Sequence, residues 1–498
     1  MRAFRRILPV ALTVLLAFTA GCSLKGTIKP NSPPETTIFV QGPVDTVNHV
    51  VHLYWFGSDV DGTVTGFQIR MKNPAQPAET AWVYTTRTDS LLTLQAPTGY
   101  TAPRFEVRAI DNLSQADPTP AVEDFQFSNQ APTVTFAVKP LLADSTFASV
   151  SVTWNAADID GDPDKLVFRV WLDGQAANPM VTTEHALTVP SARFTSGPYA
   201  SRYRRLYIQA IDDGGRASAI DSCTWFVRQA VPDSTQRPRL LIIDDVPGTA
   251  TTGNALNFRI DTLYANTAAR NLPAGSYSIL RLQFTQPFRS ALDLEQTLKQ
   301  FEAVVWYRAN EITLSSVLRT YGMDGISPYL ESGGKFYLDG LYLFEDVNAL
   351  GQLPQEFVPR FLNSRGMHHV YTSASSFGTD STAGWSSQNN SVFTDSTFLG
   401  SVRDSIKQQQ LTNRSGEAGG IRCFVQNNSA EGILWARPSS LAPAPPVPYP
   451  VGMSVAQPSG GRAVVLTVPI IPSTAITGYN GATRILAKVF QQMGLTGP

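Results

Sequence analysis

The sequence predicts a multidomain chain: two all-β sandwiches followed by an α/β domain with a mainly parallel sheet. Three observations in the 498 residues carry that prediction. Short segments of alternating apolar and polar residues, separated by turn residues, run from Glu35 to Val227, which is the mark of a sandwich. That region repeats: Trp55, Asp59, Asp61 and Gly62 recur as Trp154, Asp158, Asp160 and Gly161, each 99 residues on. From Arg239 the pattern changes to continuous apolar runs alternating with helical stretches, as in a parallel sheet covered on both faces.

The chain opens with Arg2, Arg5 and Arg6, an apolar run from Ile7 to Phe18, and then Thr19-Ala20-Gly21-Cys22. A basic start, a short apolar core and small residues before a cut site describe a secretion signal. The run is shorter than the ~20 residues a transmembrane helix needs. The cysteine after Ala-Gly resembles the lipobox of bacterial lipoproteins, although Thr19 stands where that family more often has Leu. The resemblance implies a signal over 1–21, a diacylglyceryl group on the Cys22 thiol, and a mature chain starting at Cys22. Paired acyl chains anchor firmly, each buried CH₂ contributing about 0.8 kcal/mol. The alternative is an ordinary cleaved signal with a chance cysteine. Residues 22–34 read as a polar, Pro-containing tether. Ser23 follows the cysteine in place of the Asp that retains lipoproteins at the inner membrane, so the resemblance implies the outer membrane of a Gram-negative envelope.

Hydrophobic residues make up 43% and charged residues 16% of the chain, enough for real cores. Loss of the three signal arginines lowers the 39 basic residues to 36, against 40 acidic ones. That balance argues against a nucleic-acid binder, which would carry a basic face. Besides Cys22, only Cys223 and Cys423 remain. Both lie in apolar strand-like runs and read as small buried hydrophobes, not nucleophiles.

The first sandwich is expected over 35–129. Val51-His52-Leu53-Tyr54-Trp55, Gly66 to Met71 and Phe105 to Ile110 alternate. The second is expected over 130–230. There Ala109-Ile110-Asp111 recurs as Ala210-Ile211-Asp212, 101 residues on, and Asn31-Ser32-Pro33-Pro34 is echoed by Asn129-Gln130-Ala131-Pro132. A Trp, an Asp-x-Asp-Gly and an Ala-Ile-Asp in one register indicate a tandem repeat. This pattern resembles the fibronectin type III and immunoglobulin-like modules of bacterial surface proteins. In a sandwich the two Asp-bearing loops share one end, so Asp59, Asp61 and Asp111 converge, as do Asp158, Asp160, Asp162 and Asp212. Three carboxylates together fit Ca²⁺. The competing reading is a self-capped turn, with Asp oxygens on local N–H groups and Gly supplying the tight bend.

Residues 231–238 form a linker, and 239–498 the α/β domain. Strands are expected at 239–244, 277–282, 303–307, 335–338 and 463–468, and helices at 255–265, 292–301, 314–321 and 481–493. Residues 380–460, rich in Ser, Asn and Pro, are expected as long loops or an irregular insertion. Residues 329–340 (YLESGGKFYLDG) and the closing stretch 460–494 resemble the class I glutamine amidotransferase-like, flavodoxin-type fold. That family holds a nucleophilic cysteine on the elbow after the strand at 335–338, with His and an acid later. Here the elbow reads Leu338-Asp339-Gly340-Leu341, without Cys or Ser, and the region's only histidines are His368 and His369. A thiolate needs both an elbow and a base, so the activity is expected to be absent. Asp244 and Asp245 end the first strand, where α/β ligands bind, and Asp339 ends another. The expected function is a lipid-anchored envelope protein whose sandwich stalk presents a non-catalytic domain to a protein or glycan. The alternative is an exported hydrolase of peptide or polysaccharide using Asp244, Asp245, Asp339 and His368. No Walker loop, Cys-x-x-Cys pair or His-Glu-x-x-His helix is present.

Overall fold

The computed structural model describes residues 29–41, 50–72, 81–194, 202–230, 240–246, 254–308, 315–340, 343–344, 353–370, 391–394, 405–407, 421–426, 432–437, 449–467, 470 and 479–495. Contacts divide the chain into two compact units. One is Met1–Thr133 with Ala157–Leu166 and Ile211–Ser218; the other is Val134–Ala156 with Val167–Ala210 and Ala219–Pro498.

In the first unit, β1 (Glu35–Val40), β2 (Val50–Ser58) and β5 (Asp89–Thr93) form one antiparallel sheet. A second holds β4 (Val83–Thr85), β3 (Val64–Lys72), β7 (Arg104–Asp111) and β8 (Ala121–Asp124), and β6 (Tyr100–Thr101) pairs with β9 (Phe127–Ser128). The period-2 pattern decides which side chains go inside. Val51, Leu53 and Trp55 of β2 meet Phe67 of β3 and Phe105, Val107 and Ala109 of β7 in one core. Trp55 packs 5.6 Å from Phe105 and 6.3 Å from Phe67, and its Nε1 donates to the Arg87 carbonyl at 2.9 Å. The loop 211–218 joins this unit through hydrogen bonds on its backbone carbonyls. Ala96 N–H donates to the Gly214 carbonyl at 2.7 Å, and the Gln95 amide donates to the Asp213 carbonyl at 2.8 Å.

The second unit begins with another pair of sheets. One is β10 (Thr133–Val138), β12 (Val150–Ala157) and β15 (Ala186–Val189). The other runs β11 (Ser145–Thr146), β17 (Asp221–Val227), β16 (Arg202–Ile211), β13 (Val167–Leu172) and β14 (Met180–Thr182). Cys223 is buried in β17, and burial pushes its thiol up to about 12, so it is inert packing as expected.

The remaining strands form a nine-stranded sheet among the described residues. Its order is β19 (Tyr277–Arg281), β18 (Leu240–Asp244), β20 (Ala303–Tyr307), β21 (Lys335–Asp339), β28 (Arg462–Leu466), β27 (Tyr449–Ala456), β26 (Gly432–Arg437), β23 (Ser391–Thr394) and β24 (Ser405–Lys407). The first five run parallel and the rest antiparallel. β22 (Ser364–Val370) and β25 (Ile421–Gln426) pair separately. All of β18 and β20 is buried, because helices cover both faces. Leu240 and Ile242 face α1 (Asn254–Asn271) and α5 (Tyr479–Gln492); Leu241 and Ile243 face α2 (Ala291–Leu298), α3 (Met323–Glu331) and α4 (Phe357–Phe361). The helix expected at 314–321 is present from residue 316 and runs on, through a π turn at Leu318–Gly322, into α3. The stretch 380–460, expected as loops, supplies strands instead. Ser405–Lys407 is too short to show a period, and its pairing with Ser391–Thr394, not its local pattern, makes it a strand.

The second pair of sheets shares a core with this large sheet. Phe147, just after β11, sits among the α2 and α3 side chains with its ring edge-on to Phe301 at 5.1 Å. Beside it Asp293 of α2 is fully buried. It accepts from Ser149 Oγ at 2.7 Å and from the Ser151 N–H at 3.3 Å, while its own N–H donates to the N-cap Ser290.

Candidate functional site

The parallel strands run β19-β18-β20-β21-β28, so the chain leaves β18 first to one side and then to the other. A doubly wound sheet opens a crevice beyond the carboxyl ends of its strands at such a reversal. Here that point lies between β18 and β20, and the structure has a cleft of about 540 Å³ there. Asp245, directly after β18, and Arg308, directly after β20, line it. Asp245 Oδ2 accepts from Arg308 Nη1 at 2.9 Å and from Trp306 Nε1 at 3.1 Å. Burial pushes the Asp245 carboxyl up, against the opposing pull of the Arg308 charge. Leu282, Pro287, Phe288 and Val317 supply apolar walls, and Gln283, Gln286, Ser316, Thr320 and Tyr321 the polar ones.

The other expected acids do not reach this cleft. Strand alternation places Asp244 in line with Leu240 and Ile242, and Asp339 in line with Tyr337, on the face toward α1. Asp244 accepts from the Val246 N–H at 3.1 Å and lies 3.7 Å from Arg281 Nε, which also meets Asp261 at 3.8 Å. Burial first, then the Asp261 charge, pushes Asp244 up to about 7. Asp339 accepts from the hydroxyls of Tyr264 and Tyr337, the latter at 3.0 Å, and from the Ile470 N–H at 3.2 Å. Burial pushes it up to about 6. Tyr264 stacks on Tyr307 at 4.2 Å, closing that side with aromatic rings. His368 lies on β22, opposite Cys423 of β25, and its side chain falls outside the described residues.

The elbow after β21 holds Gly340 at φ 153°, and a Cβ there would stand 3.0 Å from Arg308 Cβ and 3.2 Å from a Leu343 methyl. A Cβ here would press on Arg308 and Leu343 by a few tenths of an ångström, in a backbone conformation that favours glycine. Sequence reasoning found Asp245 but missed Arg308 and the polar wall. Arg308 had one available signal, a charge directly after a buried strand, but its partner is 63 residues away.

Most of the repeated aspartates meet N–H donors, whereas both buried carboxylate oxygens of Asp158 lack a hydrogen-bond partner among the described residues. Asp59 Oδ1 accepts from the Asp61 N–H at 3.2 Å, and Asp61 accepts from the Ser32 N–H at 3.1 Å. The Asn31 amide donates to Asp111, whose other oxygen takes the N–H groups of Leu113 and Gln115 at 2.9 and 2.7 Å. Against the upward push of burial, these bonds hold the Asp111 carboxyl below its ordinary value. The second set repeats the device. Asn129 donates to Asp212 at 3.2 Å, and the Gln130 N–H donates to Asp160 at 2.8 Å. Asp162 caps the short turn at Pro163–Lys165. A Cβ on Gly62 or Gly161 would lie 2.4 or 2.2 Å from an oxygen of Asp59 or Asp158, which is why glycine follows each motif. Burial first, then the charges of Asp212 and Asp160, raises Asp158. Among the described residues no group of three or more His, Cys, Asp or Glu side chains is arranged to hold a metal ion. Cys22 lies outside the described residues. Among the described residues no helix is long and apolar enough to cross a membrane.

No family model matches the chain, and no curated protein matches it. Among solved structures, the fibronectin(III)-like modules of Clostridium thermocellum CbhA are similar at 16% identity, covering 40% of this chain and 98% of that one, with a TM-score of 0.20. A two-domain fibronectin type III segment of chicken tenascin matches at 13% identity, 39% and 98% coverage, and a TM-score of 0.16. The PKD1 domain of Vibrio anguillarum Epp matches at 12% identity, 20% and 96% coverage, and a TM-score of 0.14. The β-rich part thus has fibronectin type III-like structural neighbours.

Proposed function

We propose that this chain is a lipid-anchored protein of the cell envelope, held at the outer membrane through Cys22, whose two fibronectin type III-like sandwiches carry an α/β domain that binds its ligand without turning it over. The resemblance to the amidotransferase-like, flavodoxin-type fold belongs to this reading, as the domain's strand order is the one a flavodoxin-type sheet uses.

One observation carries the binding half. The cleft at the strand reversal is floored by Asp245 and Arg308 bonded to each other, and Gly340 holds the elbow where a nucleophile would stand. A carboxylate committed to a guanidinium is a poor general base, and the described lining has no Cys or His. The hydrolase alternative called for Asp244, Asp245 and Asp339 in one pocket; their separate partners speak against it.

The anchor is tested in a Gram-negative host by feeding labelled palmitate. The wild-type chain incorporates label and sediments with outer membranes, and Cys22→Ala does neither. Unlabelled wild-type protein free in the periplasm would end the anchored reading.

A further inference from the structure

We infer that the cleft between the ends of β18 and β20 is a binding site for a neutral saccharide of one or two rings. The inference rests on the binding role proposed above and adds the ligand's chemical class.

The floor argues against a charged ligand. Asp245 and Arg308 are 9% and 1% exposed and neutralise each other at 2.9 Å, so the site offers an incoming ion no net charge in return for its lost hydration. The walls argue for a ligand dense in hydroxyls. The side chains of Gln283, Gln286, Ser316, Thr320 and Tyr321 all line the cleft, and none makes a side-chain hydrogen bond within the described residues. Each is uncharged, and each can both donate and accept. A sugar ring presents that same alternation of donors and acceptors around its edge. Its C–H faces suit the apolar walls at Phe288 and Val317. A cleft of about 540 Å³ lies inside the ~300–1,000 Å³ range of small-molecule sites. Thr285, also in the lining, is already used: its Oγ1 accepts from the Ser145 N–H at 3.0 Å and donates to the Ser145 carbonyl at 3.2 Å.

The test is calorimetric titration of the mature full-length protein with maltose, cellobiose and N,N′-diacetylchitobiose at millimolar concentration. Digalacturonate and a neutral tripeptide are the comparators. At least one neutral disaccharide binds, and Thr320→Val and Gln286→Ala each weaken it tenfold or more. Both positions are exposed, so the variants keep the wild-type melting temperature. Three results overturn the inference: no neutral disaccharide binds, only the anionic sugar or the tripeptide binds, or both variants bind like wild type. Binding of only the anionic sugar or the tripeptide removes the saccharide class and leaves the binding role standing, whereas no binding of any probe counts against the binding role itself.

Discussion

Asp245 and Arg308 lie where water screens neither charge, so removing one partner strands the other. Asp245→Ala is expected to cost about 3–5 kcal/mol in urea unfolding, and Asp245→Ala with Arg308→Met distinctly less. A single variant no less stable than the double would show that the pair is not coupled. The acids on the opposite face set a pH dependence. Asp339 and Asp244 are pushed up to about 6 and about 7 by burial, from an ordinary value near 3.9. A carboxyl raised in the folded chain holds its proton more tightly there than in the unfolded chain. The stability from that proton is complete below the ordinary carboxyl value and is lost as pH climbs through the folded one. The urea midpoint therefore falls between about pH 5 and pH 7, and Asp339→Asn, neutral throughout, flattens the fall. A midpoint that rises over this window refutes the assignment.

At the scale of elements, the short connection after β11 determines more than its length suggests. Phe147 fills space between α2 and α3, and Asp293 at the start of α2 takes donors from Ser149 and Ser151. Phe147→Ala opens a cavity expected to cost about 3–5 kcal/mol. Because the cavity lies in the core under the large sheet, the loss should appear in the unfolding of that sheet, followed by Trp306 fluorescence. If only the preceding strands lose stability, the shared core is not a cooperative unit. The Asp-bearing turns show the same economy. Asn31 and Asn129 each donate a side-chain amide hydrogen bond to the Ala-Ile-Asp aspartate of their own repeat. Asn129→Ala would leave the 5% exposed Asp212 short of a bond, at about 1–3 kcal/mol.

For the molecule as a whole, these clamps bear on calcium. With amide and backbone donors on Asp61, Asp111, Asp160 and Asp212, about 1 mM Ca²⁺, enough for extracellular-type sites, should leave the melting temperature unchanged. A rise that vanishes in Asp158→Asn would instead put the ion beside Asp158, whose carboxyl already feels Asp212 and Asp160. Much of the architecture was legible in the chain. Alternation around Trp55 and Trp154 marked the paired sheets, and the unbroken apolar run 239–244 marked a strand covered on both faces. Within 380–460 the apolar run around Cys423 was legible as strand-like, but short segments such as Ser405–Lys407 were not, because three residues show no period and take their state from the strand they pair with.

The sequence by itself determined what depends on local spacing: the repeat, the faces of each strand, the glycines beside the aspartates, and the basic and apolar opening that ends at Cys22. Only the tertiary structure decided which acid meets which partner. Adjacent residues at a strand end point to opposite faces, so Asp244 joins Arg281 and Asp261 while Asp245 turns to Arg308. A partner 63 residues away is chosen by strand order, and strand order is a property of the folded sheet that no local pattern contains.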